Sequence, residues 1–206
     1  MKNPEIGRNE SSRPGWMPCP KYSTLEHPGL AYICPLDELI VTRETDDLHQ
    51  IIGQKGIGYT IFNNQGQKVF IAVQERSFRK FDLKIFNLYG NEVIQVKKPF
   101  GLCLNRAFVW APPGNFVGSV KQDISCINTF FVKNRSGHVV LKIKARGLCC
   151  YVYDIQAGKE DVGVVMKRWR MAAVLNENNF GISFPVNMDV GDKAVLLGRF
   201  LQGRSV

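Results

Sequence analysis

Few residues of this 206-residue chain are placed to do bond chemistry. The three histidines, His27, His49 and His138, read as scattered over loops and turns, with no Cys, Ser or carboxylate at a recurrent spacing beside them. No glycine-rich phosphate loop precedes a helix. The six cysteines, at positions 19, 34, 103, 126, 149 and 150, form no CxxC pair, and adjacent Cys149 and Cys150 do not suit a routine structural bridge. That usage fits a reducing cytosol or nucleus. Positive charge is what the chain has in excess: 27 Lys and Arg against 18 Asp and Glu, a net +9. Such a balance points to anionic partners (phospholipid headgroups, nucleic acid or acidic proteins) or to a basic surface that is only solvated. Lys142, Lys144 and Arg146 alternate, so their cations share one face of a strand, either a plain exposed face or a binding ridge. These patterns argue against an enzyme that breaks bonds and against a small-molecule substrate.

The elements that must carry this charge are written in glycines. Gly66, Gly90, Gly114 and Gly137 recur every 23 or 24 residues. Three sit in one local pattern, Asn63-Asn64-Gln65-Gly66, Asn87-Leu88-Tyr89-Gly90 and Asn134-Arg135-Ser136-Gly137, and the fourth closes Ala111-Pro112-Pro113-Gly114. Each reads as a β-hairpin, because Asn and Gly accept the left-handed backbone of a tight return. A weaker copy follows at Gly158. Five hairpins supply about ten strands, with Leu39–Thr42 as a first short one. After Arg170 the pattern changes to a brief helical turn at Met171–Leu175, then a last strand over Phe180–Val186. Asp189 caps a helix running to about Leu201, with Asp192 in its first turn. Val190, Ala194, Leu197 and Leu201 form one stripe of that helix, and Val195, Leu196 and Phe200 cover much of the rest. A helix apolar nearly all round wants to be surrounded by protein. Inside a closed meander of about twelve strands it would fill the lumen and remove the sheet edges. Arg199 is the misfit and must lie at the mouth or find a partner. Residues 1–29, with five prolines and few aliphatic residues, read as a flexible leader whose one large apolar anchor is Trp16; the domain itself spans 30–206. No window approaches the roughly 20 apolar residues of a membrane span.

This order of hairpins and terminal helix resembles the phospholipid scramblase family, whose members adopt the tubby-like fold. The most specific stretch is Asn178-Asn179-Phe180-Gly181-Ile182-Ser183-Phe184-Pro185, followed by Met188-Asp189-Val190 and Lys193-Ala194-Val195-Leu196-Leu197-Gly198. Further matches are Trp16-Met17-Pro18, Pro28-Gly29-Leu30-Ala31-Tyr32, Phe62-Asn63-Asn64-Gln65-Gly66-Gln67-Lys68-Val69-Phe70 and Ala111-Pro112-Pro113-Gly114, all in family order from about residue 15 to 201. The resemblance implies a mainly β fold, a closed twelve-stranded antiparallel barrel around a C-terminal hydrophobic helix. It also implies a role in calcium-dependent, ATP-independent movement of phospholipids at the cytoplasmic face of the plasma membrane.

Four family features map onto this chain. The acidic calcium loop falls on Asn176, Asn178 and Asn187, neutral amides that leave a divalent ion uncompensated, and Phe180 and Phe184 stand where oxygens belong. Calcium binding is therefore expected to be weak or absent, and no other cofactor is implied. The cysteine run that serves for palmitoylation is reduced to Cys103; one acyl chain gives only marginal membrane binding, and the residue reads rather as a buried strand cysteine than as a lipidation site. The segment proposed for nuclear import keeps Lys167, Arg168, Trp169 and Arg170, which would also suit a plain strand end; importin or nucleic acid enter as possible partners on that account. The C-terminal helix, treated in the family as a membrane insertion segment, is interrupted here by Arg199, and a central charge costs at least about 2.5 kcal/mol in a span. Two readings follow. One is a peripheral protein acting on anionic phospholipid membrane surfaces; the other is a soluble nuclear or cytoplasmic binding module that no longer scrambles lipid.

Overall fold

Short β-branched and aromatic runs, some alternating in burial and others buried along most of their length, form twelve strands, accompanied by two helices, in the computed structural model, which describes residues 15–20, 29–45, 47–53, 56–75, 81–99, 106–123, 128–147, 152–167 and 179–202. In chain order these are β1 (Glu38–Thr42), α1 (Asp47–Ile52), β2 (Gly56–Phe62), β3 (Lys68–Glu75), β4 (Phe81–Phe86), β5 (Glu92–Lys98) and β6 (Arg106–Trp110). Then come β7 (Phe116–Gln122), β8 (Thr129–Asn134), β9 (Val139–Ala145), β10 (Val152–Ala157), β11 (Glu160–Lys167), β12 (Asn179–Ser183) and α2 (Val190–Gln202). The strands form one closed antiparallel barrel, a meander from β2 to β12 sealed by β1, which pairs with β12 on one side and β2 on the other. Closure leaves the twelve described strands no open sheet edge.

The five hairpins stand where the glycines put them. Gly66, Gly90, Gly114, Gly137 and Gly158 all have left-handed backbones, with φ of 74°, 80°, 91°, 83° and 63°. The asparagines contribute through their side chains. Asn63 Oδ1 accepts the backbone N–H groups of Gln65 and Gln67, Asn87 Oδ1 those of Tyr89 and Asn91, and Asn134 Oδ1 that of His138. Each hairpin also has a one-residue register shift beside its turn, as a bulged return requires. In the proline-written turn the Ala111–Pro112 bond is cis, and Asn115 Nδ2 donates to Ala111 O at 3.0 Å.

Ahead of the barrel, Trp16 is buried and bridges in parallel to Lys68, with Met17 N donating to Lys68 O and Lys68 N to Gly15 O, each at 2.8 Å. Two expectations need correction. His49 is not in a loop: it lies buried on α1, a six-residue helix too short to announce itself by periodicity, and its Nε2 faces Tyr59 O at 3.2 Å and Ala72 O at 3.3 Å. Two carbonyl acceptors require that Nε2 carries the proton. The last strand is Asn179–Ser183 and does not reach Val186, because Pro185 offers no N–H to a ladder. The terminal helix spans Val190–Gln202, in agreement with the expected end at about Leu201.

Candidate functional site: the enclosed helix and the barrel's outer face

Asp189 starts α2 by accepting the backbone N–H of Asp192 on Oδ1 at 3.1 Å, an N-cap formed by the residue that the sequence nominates for it. The helix then passes between strands on several sides. The Cβ that Gly198 lacks would meet Val96 of β5 and Val109 of β6, and the one that Gly118 of β7 lacks would meet Val195. Phe200 packs on Tyr153 of β10 at 5.7 Å and on Phe180 of β12 at 6.4 Å, and Arg199 reaches Phe130 of β8. Partners on β5, β6, β7, β8, β10 and β12 place α2 in the lumen. Ala194, Leu197 and Leu201 are fully buried with Val195 and Leu196, while Val190, in the first turn at the mouth, is half-buried. Among the described residues no helix is long and apolar enough to cross a membrane.

Two cations enter with the helix. Lys193 is fully buried, and its ammonium donates to Leu36 O at 2.7 Å, Val186 O at 2.8 Å, Cys34 O at 3.0 Å and Ile33 O at 3.3 Å. Three protons shared among four carbonyls tie the segment before β1 and the segment after β12 to one helix, at the seam where the barrel closes. Burial pulls the ammonium below its ordinary range, opposed by nearby Cys34 and Asp37. Phe184 completes the cage, its ring 5.0 Å from Nζ. Arg199 finds its partner in the face of Phe130, 3.8 Å from guanidinium carbon to ring centre, with Phe200 at 5.8 Å. Burial pushes its guanidinium down to about 10, partly offset by Tyr153, so it remains a cation near neutral pH. At the mouth, Asp192 is raised to about 6 by burial and by Asp189.

The sequence-nominated sites are not brought together. Asn187 is exposed after β12, and Asn176 and Asn178 lie outside the described residues. Phe180 and Phe184 are both buried, one against Phe200 and the other under Lys193, so their side chains are committed to the core. Among the described residues no group of three or more His, Cys, Asp or Glu could hold a metal. Cys103, Arg168, Trp169 and Arg170 also lie outside the described residues; Lys167 is exposed at the end of β11.

Lys142 and Lys144 of β9 and Arg146 beyond it project from the outer face, where Arg146 pairs with Asp154 at 2.7 Å. Two features escape a reading of the sequence. The carbonyl cage of Lys193 is one, although a lysine in an otherwise apolar helix is a signal for it. The other is a cluster of half-buried rings on the outer face, Phe108, Trp110 and Phe116, with centroids 6.0–6.2 Å apart. Its signal is the alternation Arg106-Ala107-Phe108-Val109-Trp110, large residues out and smaller ones in.

A closed twelve-stranded antiparallel barrel around a helix is the tubby-like architecture. A solved protein from Arabidopsis thaliana superposes with a TM-score of 0.53, over 84% of this chain and 95% of that one, at 14% identity, a likeness of fold alone. Phospholipid scramblase 1 of Mus musculus is 32% identical over 92% of this chain and 67% of its own length. Phospholipid scramblase 2 of Bos taurus is 31% identical over 89% of this chain and 72% of its own. The family model described as Scramblase matches residues 17–202, end to end across the barrel and its helix, and the chain belongs to the scramblase family.

Proposed function

We propose that this protein works as a peripheral phospholipid-surface protein of the scramblase family, taking part in ATP-independent transbilayer movement of phospholipids at the cytoplasmic face of the plasma membrane. The observation that carries the peripheral reading is the enclosure of α2 by strands from most of the barrel's circumference. Releasing that helix to a bilayer would strip the core of Val195, Leu196, Leu197 and Leu201 and uncage Lys193. A membrane is met by the outer surface instead, where the net +9 charge supplies the attraction. Buried His49 spends its Nε2 proton on two carbonyls, which supports a role for that side chain in the fold.

The calcium dependence is weak or lost. Neutral Asn176, Asn178 and Asn187 and the core positions of Phe180 and Phe184 support that reading. Calorimetry should find affinity at the roughly millimolar end of loop sites or none. The decisive experiment is vesicle co-sedimentation over a series of anionic lipid fractions, with and without calcium. Binding should rise with anionic lipid, fall steeply with salt as screening shortens the field, and ignore calcium. Absence of binding to anionic vesicles would leave the soluble-module reading in its place.

A further inference from the structure

The outer faces of four consecutive strands differ from the rest of the barrel. From β6 to β9 the strands carry Arg106, Lys121, Lys133, Lys142 and Lys144 and not one carboxylate. Strand pairing fixes how these side chains lie. One row runs Arg106, Lys121, Phe131, Lys142 from β6 to β9. A second runs Lys97, Phe108, Ser119, Lys133 from β5 to β8, and Trp110 stands opposite Phe116 beside it. Cations and rings are therefore interleaved across one outer face.

Local contacts tighten that arrangement. Lys97 Nζ is 5.9 Å from the Trp110 ring centre, and the Arg106 guanidinium is 4.5 Å from that of Phe108. Arg106 Nη2 donates to Ser119 Oγ at 3.4 Å, while its Nε is buried without an acceptor among the described residues. Arg106 and Lys121 face one another across the β6–β7 ladder, a like-charge pair that costs stability. The ion pairs Lys84–Glu75 and Arg146–Asp154 lie to either side and Asp82 stands opposite Lys97 at the edge, while among the described residues no ion pair reaches Arg106, Lys121, Lys133 or Lys142. A fold that keeps facing cations, an unmet guanidinium donor and half-buried rings on one face presents charge for an outside anion.

We propose that the outer face of β5–β9, centred on Trp110, Phe108, Phe116 and Phe131 and ringed by Lys97, Arg106, Lys121, Lys133 and Lys142, is the surface by which the barrel lies on an anionic phospholipid bilayer. This rests on the phospholipid-surface reading above and names its site. Rings with an apolar body and a polar environment suit the headgroup boundary, and the lysine stems reach phosphate and carboxylate groups while covering apolar surface. Curvature chooses between partners. A convex barrel offers a tangent strip to a plane, whereas a single-stranded nucleic acid is tracked along a positively charged groove.

The test compares two doubly charge-reversed proteins in co-sedimentation with phosphatidylcholine vesicles containing phosphatidylserine. Lys121→Glu/Lys142→Glu changes the face; Arg43→Glu/Lys159→Glu makes the same change of net charge at exposed positions elsewhere. The face variant should lose about 25-fold in affinity or more, from about fivefold for each lysine removed from the surface. The control should lose less than fivefold. Trp110→Ser, with charge unchanged, should weaken binding and make what remains more sensitive to salt. Equal losses in the two double variants, or an unchanged Trp110→Ser, would overturn the proposal by reducing attraction to net charge. A face variant that still sediments but loses binding to a 20-nucleotide RNA would overturn it in favour of nucleic acid. Failure of the unaltered protein to sediment at all would instead remove the phospholipid-surface reading on which the site depends.

Discussion

Lys193 and Lys142 are the same side chain in the same barrel, one inside and one out, and they are treated in opposite ways. Inside, the ammonium is caged by four carbonyls and a ring, and Arg199 nearby is laid on Phe130. Outside, Lys142 is half-buried on a face where β6 to β9 hold no carboxylate. A buried charge must be satisfied by the protein itself, since an unmet one costs several kcal/mol. A surface charge is solvated at little cost and so remains available to a partner. The interior cations thus belong to the fold, and the outer ones are those on which the proposed docking face draws, although both count equally in the net +9.

The comparison can be broken hardest from within. Leu197→Asp puts a carboxylate with no partner at a fully buried position of α2, a fault of several kcal/mol against a total of about 5–15. Circular dichroism in lipid-free buffer should show the domain unfolded or melting far below the parent. Next comes Lys193→Met, which keeps the volume and removes the donors. It strips the ammonium from the carbonyls of Cys34, Leu36 and Val186 at the β1–β12 seam, while Ile33 O keeps the N–H of Leu36, and it should cost about 3 kcal/mol or more in denaturant titration.

Asp192 marks the boundary between the two regimes, and pH exposes it. Its folded-state value of about 6 lies above the ordinary 3.8, so the folded protein holds this proton more tightly than the unfolded chain. The associated stability is present in full below 3.8 and is lost as pH rises through 6. Asp192→Asn should therefore be more stable than the parent at pH 7, and the two should converge towards about pH 4. The smallest effect belongs to the outer face. Lys142→Ser and Lys144→Ser should each leave the melting transition within about 0.5 kcal/mol of the parent, even while vesicle binding weakens.

What could be read from the residues follows the same division. The hairpins were legible because an Asn three residues before a Gly is a local instruction: both the side-chain acceptor and the left-handed residue sit within five positions. The lumenal helix was legible from its all-round apolarity and from Asp189. The cage of Lys193 was not, because its acceptors Ile33, Cys34 and Leu36 stand about 160 residues away, brought there by barrel closure. The aromatic and basic face was hidden for a related reason. Alternation shows that Lys142 and Lys144 point to one side, but only the cross-strand register sets Lys142 beside Phe131 and Phe131 beside Lys121. Helix α1 was missed because six residues hold too little of a helical period to stand out.

The central claim is that α2 stays in the barrel while the protein works on lipid, and a reversible lock tests it directly. The missing Cβ of Gly198 would lie 2.8 Å from Val96 Cγ2, so Val96→Cys/Gly198→Cys, in a chain whose native cysteines are serine, brings two thiols within bridging range of β5 and the helix. Binding to anionic vesicles and transbilayer movement of a labelled phospholipid are measured in the oxidised and reduced forms. The account predicts the same binding and movement in both. Loss of either on oxidation, restored by reduction, would show that the helix must leave the lumen and would contradict it.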